Sequence, residues 1–433
     1  MNRMIRVQQL VYVPIIWGGC TMKRILHAIS QYPGKTGSGT YLQAIVKEAY
    51  KKGYEQAVIA GVPKDHSYVE FGDVSDIKFY PVIFETEKLP FPIAGMSDVM
   101  PYKSTKYSDM NEEMFLKWEK AFREEINLAI NEFKPDIIIS NHLWLLTSLI
   151  KKTVSDIPVI SISHGTDLRQ LEMVDKFREY VIEGCKNIEI AMALNDYEKK
   201  KIVENYSIST DKVVVIGGGY DSDIFYPYST KKSMDKIKLI YAGKLSFSKG
   251  VPSLIRAYEK LFIYNNNIEL LIAGSGSGTE EKEIRQLVKE AKGSIKLLGE
   301  VPHENLGDIF RECDIFVLPS FYEGLSLVTI EALSCGLSVT ASELAGLKNY
   351  LGNEIKASGI IEYVKLPDMV DIDIPNKADL PYFEERLAYG IKKQIDKLDH
   401  KYNQPDSIYK IIENFSWYRI FEKIEKEIVR LCD

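Results

Sequence analysis

A chain of 433 residues is too long for one ordinary domain, so two or three are expected. With 45% hydrophobic and 27% charged residues it reads as a globular chain rather than a disordered one. The net charge of −6 gives no overall attraction to nucleic acid or anionic membrane. The best apolar run, Ile137 to Ile150, is broken by Ser140, Asn141 and His142 and is no membrane span. The five cysteines, Cys20, Cys185, Cys313, Cys335 and Cys432, form no C-x-x-C pair. They read as reduced thiols of a cytoplasmic protein, not as a disulfide framework or zinc site.

Residues 1–21 carry Arg3 and Arg6 ahead of an apolar patch, Leu10 to Trp17, that ends in Gly18-Gly19-Cys20. A signal sequence has this outline. However, Pro14 interrupts the patch, and Met22-Lys23-Arg24 leads directly into an apolar segment. The stretch is read as a leader or misplaced start outside the fold, with export as the alternative.

From Met22 onward, short apolar runs alternate with amphipathic helices. Ile25–Ile29 is a predicted strand, followed by a glycine-rich turn and a helix over Thr40–Lys52 with Leu42, Ile45, Val46 and Ala49 on one face. Further predicted strands are Gln56–Ala60, Ile77–Val82, Asp136–Ser140, Pro158–Ser163 and Glu189–Leu194. A long helix is predicted over Glu112–Phe133, its stripe formed by Phe115, Trp118, Phe122, Ile126 and Ile130 and its end set by Pro135. Between them, Glu85 to Asn111 contains Pro90, Pro92 and Pro101 and is longer than an ordinary loop. Its Phe91, Met96, Met100, Tyr102 and Tyr107 argue against simple disorder. Gly95–Tyr102, with Met100 and Tyr102, is expected to line an acceptor pocket, against the alternative of a packed loop.

A polar and aromatic connector, Tyr226 to Lys232, introduces a second series of strands: Ile237–Ala242, Ile268–Ala273, Ile295–Leu298, Asp314–Leu318 and Leu337–Thr340. Two such series imply an α/β chain of two doubly wound parallel-sheet, Rossmann-like domains. The expected division is 22–228, 229–415 and a terminal helix in 416–433 with Ile420, Phe421, Ile424 and Ile428 along one side. Ligands of such sheets bind beyond the carboxyl ends of the strands, so the loops leaving each strand are the places to examine.

Three loops of the second series stand out. Gly243-Lys244-Leu245-Ser246-Phe247-Ser248-Lys249-Gly250 sets two ammonium groups beside glycines, an arrangement suited to a diphosphate. Gly274-Ser275-Gly276-Ser277-Gly278 invites a dinucleotide reading, but Thr279 stands where that fingerprint needs glycine. Pro319-Ser320-Phe321-Tyr322-Glu323-Gly324-Leu325-Ser326 leads from a buried strand into a helix that contains Glu331. Glu323 lies at the helix entrance, where backbone amides point outward and carboxylates are favoured.

The E-x7-E pair Glu323/Glu331, the Gly-Lys-Leu…Lys-Gly loop and the Ile-Ala-Gly-Ser-Gly segment run in register from about Ile237 to Gly346. Together they resemble the retaining family-four glycosyltransferases. The resemblance implies the GT-B fold, two domains facing across a cleft with a C-terminal helix crossing back. It further implies that Lys244 and Lys249 hold the donor diphosphate, that Glu323 contacts the transferred sugar and that Glu331 contacts the ribose. Gly243, Gly274 and Gly276 would border the donor, and the amides of Gly324, Leu325 and Ser326 would complete the phosphate cradle. In the first half, Thr36-Gly37-Ser38-Gly39-Thr40 resembles the family's first glycine-rich loop, which implies that Gly37, Ser38 and Gly39 approach the donor phosphate, and His164 in Ser161-Ile162-Ser163-His164-Gly165 resembles its active-site histidine near the sugar. Val215 to Asp221 resembles the Asn-Gly-Val-Asp hinge, with Gly218 in place of the usual Asn.

Two decoys are set aside. Gly34-Lys35-Thr36 suggests a P-loop, but Ile29 occupies the position of the required first glycine. Asp221-Ser222-Asp223 suggests a metal-binding D-x-D, but it sits at the expected domain hinge rather than beside the donor loops and reads as turn chemistry. The function implied is transfer of a hexose-type sugar from a UDP- or GDP-linked donor to an unknown acceptor, with retention and without metal or other cofactor. A nucleotide-sugar epimerase and a non-catalytic sugar-binding protein are the alternatives. The chain is expected in the cytoplasm, where peripheral contact with the inner face of the membrane is compatible with the sequence.

Overall fold

The structure, a computed structural model, describes residues 23–34, 36–66, 69–72, 74–97, 100–227, 236–398 and 406–433. The expected leader at 1–21 and the expected domain border at 228/229 lie outside the described residues. Two compact units divide the chain. One runs up to Ala191 and regains Ile428–Asp433, and the other covers Met192–Glu427.

The first unit contains β1 (Arg24–Ile29), α1 (Gly37–Lys51), β2 (Glu55–Pro63), β3 (Lys78–Phe84) and α2 (Glu112–Phe133). It continues through β4 (Ile137–Asn141), α3 (Leu145–Thr153), β5 (Val159–Ile162), α4 (Thr166–Met173) and α5 (Arg178–Cys185). Its strands pair in parallel in the order β3-β2-β1-β4-β5. The central strands read as nearly unbroken apolar runs because helices cover both faces of such a sheet. Chain order reverses between β1 and β4, so the loops leaving these two strands flank the point where doubly wound sheets bind ligands.

Helix α1 starts at Gly37, three residues ahead of the expected Thr40. Thr36 accepts a hydrogen bond from the Gly39 amide through its hydroxyl at 3.1 Å, which nucleates the turn that glycine alone disfavours. The run Gly37-Ser38-Gly39 is therefore the first turn of a helix, not a free loop. Helix α2 has the expected limits, capped by Asn111 at 2.9 Å from the Met114 amide and closed by left-handed Lys134. Trp118, Phe122 and Ile126 are fully buried along its stripe.

The division falls within β6 (Ile190–Ala193), and α6 (Asp196–Tyr206) and β7 (Val213–Val215) open the second unit. Then follow β8 (Ile237–Ala242), α7 (Val251–Phe262), β9 (Ile268–Ala273), α8 (Gly278–Glu290), β10 (Ser294–Gly299) and α9 (His303–Arg311). The series continues with β11 (Ile315–Leu318), α10 (Leu327–Ser334), β12 (Ser338–Ser342), α11 (Ala345–Ser358) and β13 (Ile361–Val364). These strands form a parallel sheet in the order β10-β9-β8-β11-β12-β13, again with its reversal beside the first strand. The last strand, β13, was not among the expected elements. Three helices close the chain: α12 (Leu380–Asp396), α13 (Asp406–Glu413) and α14 (Trp417–Cys432).

Ile420, Phe421, Ile424 and Ile428 of α14 are all fully buried, as a single apolar stripe at helical spacing should be. Within the first unit the chain end is tied down by an ion pair between Lys23 and Asp433 and by the Cys432 thiol, 3.8 Å from the Asp136 carbonyl oxygen.

Candidate active site

In the second unit the three loops singled out in the sequence lie together at the carboxyl ends of β8, β9 and β11. The Leu245 amide donates to the Ser275 carbonyl at 2.9 Å, which ties the first loop to the second. Phe321 donates to the Ser248 carbonyl at 3.0 Å, which ties the third loop to the first. A Cβ on Gly274 would stand 1.9 Å from the Gly243 carbonyl oxygen, and the residue's φ of +131° disfavours any side chain. Glycine there lets the two backbones approach. Its value is therefore structural, whatever ligand borders it.

The charged groups of these loops meet. Lys249 Nζ is 2.8 Å from Glu323 Oε1, with the two side chains 29% and 19% exposed. The Ser320 hydroxyl donates to the same oxygen at 2.9 Å. Glu323 thus sits in a defined place at the approach to α10, half-buried and within reach of a ligand. Lys244 is exposed on the same loop as Lys249, and the Tyr241 hydroxyl fixes its backbone by donating to the Lys244 carbonyl at 2.8 Å. Among the described residues, no acceptor takes the amides of Gly324, Leu325 or Ser326. Consecutive unused amides at a helix start make a receptive surface for an anion.

Glu331 points from the first turns of α10 and is buried. The sequence reading missed its partner: His303, at the start of α9, places Nε2 2.8 Å from Glu331 Oε1. Burial would lower this imidazole, but the hydrogen bond and charge of Glu331, joined by Asp221 and Glu304, outweigh it and hold it above the ordinary histidine range. One carboxylate oxygen is thus engaged, and no hydrogen bond from a described residue reaches the other. No local spacing could have revealed this pair, whose members lie 28 residues apart on different helices.

Gly218, where the resembling family has Asn, lies against the third loop. A Cβ there would stand 2.6 Å from a methyl of Leu327 and 2.8 Å from one of Leu325. Leucine bulk fills the space that a side chain would need. Asp221 behaves as turn chemistry predicts, accepting from the Asp223 amide at 2.9 Å.

In the first unit the loops leaving β1, β4 and β5 carry a second polar cluster. Gln31 donates through Nε2 to the Ser38 hydroxyl at 2.7 Å and accepts from the Met96 amide at 3.2 Å. Gln170 donates to the Met96 carbonyl at 3.1 Å. Ser38 is thereby committed to an internal bond, and the loop bearing Met96 is anchored to the sheet end. His164 lies at the end of β5, its Nε2 3.0 Å from Asn141 Oδ1. Burial and the neighbouring His142 hold its imidazole well below the ordinary range.

His142 itself is buried, adopts a left-handed φ of +70°, and has neither ring nitrogen hydrogen-bonded to a described residue. Burial, opposed in part by the Asp167 charge, lowers it to about 4. Asp167 is fully buried and accepts from the Leu143 amide at 2.8 Å, the Ser163 hydroxyl at 3.1 Å and the His164 amide at 3.2 Å. It therefore sets the course of both histidine-bearing loops.

The loop from Glu85 to Asn111 folds onto the first unit. Phe91, Met96 and Tyr107 are buried in it, and a two-residue parallel pairing joins Ala94-Gly95 to Thr105-Lys106. Met100 and Tyr102 are half-buried. The Met100 side chain occupies the space beside Gly95, and the Tyr102 ring meets Tyr32 edge-on at 6.0 Å between centroids.

Residues 35–224 match the family described as Glycosyltransferase Family 4, and residues 223–370 match Glycosyl transferases group 1. The chain is 24% identical over 307 residues to an uncharacterised glycosyltransferase of Methanocaldococcus jannaschii, which covers 65% of this chain and 76% of that protein. Among solved structures, sucrose-phosphate synthase from Thermosynechococcus elongatus aligns with a TM-score of 0.67 at 15% identity, over 94% of this chain and 99% of that one. The Anabaena HepE protein in complex with UDP and glucose aligns with a TM-score of 0.62 at 15% identity, over 94% of this chain and all (100%) of that one. At such identities the structural likeness speaks for the fold alone.

Proposed function

We propose that the chain, which matches two glycosyltransferase family models over successive stretches, moves a hexose-type sugar from a UDP- or GDP-linked donor to an acceptor, with retention of configuration and without a bound metal. One observation carries this reading. A lysine–glutamate pair, Lys249–Glu323 at 2.8 Å, stands beside three unused backbone amides at the start of α10. Cleavage of the sugar–phosphate bond puts negative charge on the departing diphosphate, and fixed cations and amides stabilise that charge without reorganising. In the proposed roles Lys244 and Lys249 take the diphosphate, and the amides of Gly324, Leu325 and Ser326 bind its oxygens. Glu323 accepts from a hydroxyl of the transferred sugar. Glu331, held by His303 through one oxygen, uses the other for a ribose hydroxyl. His164 is given the role of a sugar contact.

Among the described residues no group of three His, Cys, Asp or Glu is placed to hold a metal ion. No helix among them is long and apolar enough to cross a membrane. The proposed location is cytoplasmic, with peripheral membrane contact left to the acceptor's nature.

The test is incubation of the purified protein with UDP- and GDP-sugars, with and without an acceptor library, in buffer and in EDTA. Release of nucleoside diphosphate only when acceptor is present, and undiminished by EDTA, is expected. An isomerised donor would indicate an epimerase, and absence of turnover a binding protein. Rescue of an EDTA-inactivated enzyme by a divalent ion would overturn the metal-free reading.

The acceptor is proposed to contact Gly95–Tyr102. Replacing Met100 and Tyr102 together by alanine should raise the acceptor KM about tenfold to a hundredfold, on the order of the 1–3 kcal/mol that apolar pocket contacts contribute to discrimination, with donor affinity unchanged. A lowered melting temperature with no selective change in acceptor KM would reduce the loop to a packing element.

A further inference from the structure

Two requirements meet at Asn141, the last residue of β4. Its amide nitrogen Nδ2 lies 3.3 Å from the Ala28 carbonyl oxygen, an atom that can only accept. This contact orients the amide, with nitrogen toward Ala28 and oxygen away from it. That oxygen, Oδ1, stands 3.0 Å from Nε2 of His164. A carbonyl oxygen cannot donate, so Nε2 has to carry the proton.

The ring itself is fixed in place. Tyr41 meets it edge-on at 5.2 Å between centroids, His142 flanks it at 4.8 Å, and Asp167 accepts from its backbone amide at 3.2 Å. Burial beside His142 favours the neutral form. A neutral imidazole with its proton on Nε2 has a bare lone pair on Nδ1, the nitrogen that Asn141 does not engage.

We propose that Asn141 is a positioning residue that locks His164 in the Nε2–H tautomer, so that Nδ1 accepts a hydrogen bond from a substrate hydroxyl. This rests on the reading of His164 as a residue that serves the sugar. The tautomer decides which chemistry the ring can recognise. A lone pair on Nδ1 takes a proton donor such as an alcohol, whereas an ionised phosphate oxygen offers it none. His164 is thereby assigned to a sugar hydroxyl and not to the diphosphate, and a second polar group, Asn141, becomes part of the selection.

The chain has six histidines, so the ring nitrogens of the protein labelled at histidine are few enough to resolve by NMR, with His164→Gln identifying the resonance. Near neutral pH the ligand-free protein is expected to show His164 as the Nε2–H tautomer. Asn141→Ala should give a mixture of tautomers, and Asn141→Asp, whose carboxylate oxygen likewise only accepts, should keep a proton on Nε2, in a neutral or a protonated ring. A wild-type ring protonated on Nδ1, or a pattern unmoved in Asn141→Ala, would overturn the lock. Should Asn141→Ala fail to fold, the wild-type spectrum and Asn141→Asp decide the matter.

UDP-glucose and GDP-mannose, with UDP and GDP as controls, test the hydroxyl. One sugar nucleotide should shift the Nδ1 resonance while its nucleotide alone does not. Binding of a sugar nucleotide with Nδ1 unmoved would overturn the hydroxyl assignment. Failure of all four to bind would count against the transferase reading and leave the tautomer result standing.

Discussion

Lys249→Ala is expected to slow turnover about a hundredfold to a thousandfold, the usual cost of removing one preorganised donor from a site of developing charge. The lysine is on the loop that leaves β8, beside the reversal in strand order, and its ammonium group lies 2.8 Å from Glu323. In the proposed complex that ammonium group would share its hydrogen bonds between the carboxylate and a phosphate oxygen. The effect on folding should be small. A partly exposed ion pair contributes roughly 0–1 kcal/mol, and Ser320 still donates to the Glu323 oxygen that Lys249 leaves. Acceptor-dependent release of nucleoside diphosphate, followed beside thermal unfolding of the same variant, separates the two effects. Activity within a few-fold of wild type would remove Lys249 from the site. A collapse in melting temperature that matched the loss of rate would make its role structural.

Glu323→Ala should lower kcat about tenfold to a hundredfold, since a hydrogen bond to a charged group contributes roughly 1.5–3 kcal/mol. The expected signature is a split between turnover and nucleotide affinity. The proposed contact is to the sugar, so UDP or GDP should bind the variant nearly as well as the wild type while transfer fails. Glu323→Gln keeps the shape and the bond from Ser320 but lacks the charge, and it should fall between the two. Equal weakening of nucleotide binding and turnover would mean that Glu323 acts by holding the loop, through Lys249 and Ser320, rather than by touching the sugar.

The strands and the loops that leave them were legible because parallel strands covered on both faces are written as short apolar runs bounded by glycine and proline. The strand at Ile361–Val364 escaped because Glu362 and Tyr363 break its apolar pattern at a length of only four residues. The start of α1 was misplaced for a related reason. Gly37-Ser38-Gly39 looks like a loop by propensity, and it is helical because Thr36 caps it and Gln31 holds Ser38. The donor loops were visible as residue types, but their pairing was not: Lys249 and Glu323 are 74 positions apart and meet only because β8 and β11 are neighbours in the sheet. Asn141, Asp167 and His303 were missed because each acts by orienting another group. A polar residue at a strand end or helix start carries no mark of that role until the partner is seen.

The most direct test of the donor site is equilibrium titration of UDP and GDP into the purified chain, which needs no knowledge of the acceptor. The account predicts that one of the two nucleotides binds, and that Glu331→Ala, which removes the carboxylate held by His303, weakens it about tenfold or more, about 1.4 kcal/mol. Glu323→Ala should leave that affinity nearly unchanged. Failure of both nucleotides to bind, or equal affinity in wild type and Glu331→Ala, would contradict the assignment of the second unit's loops to a nucleotide sugar.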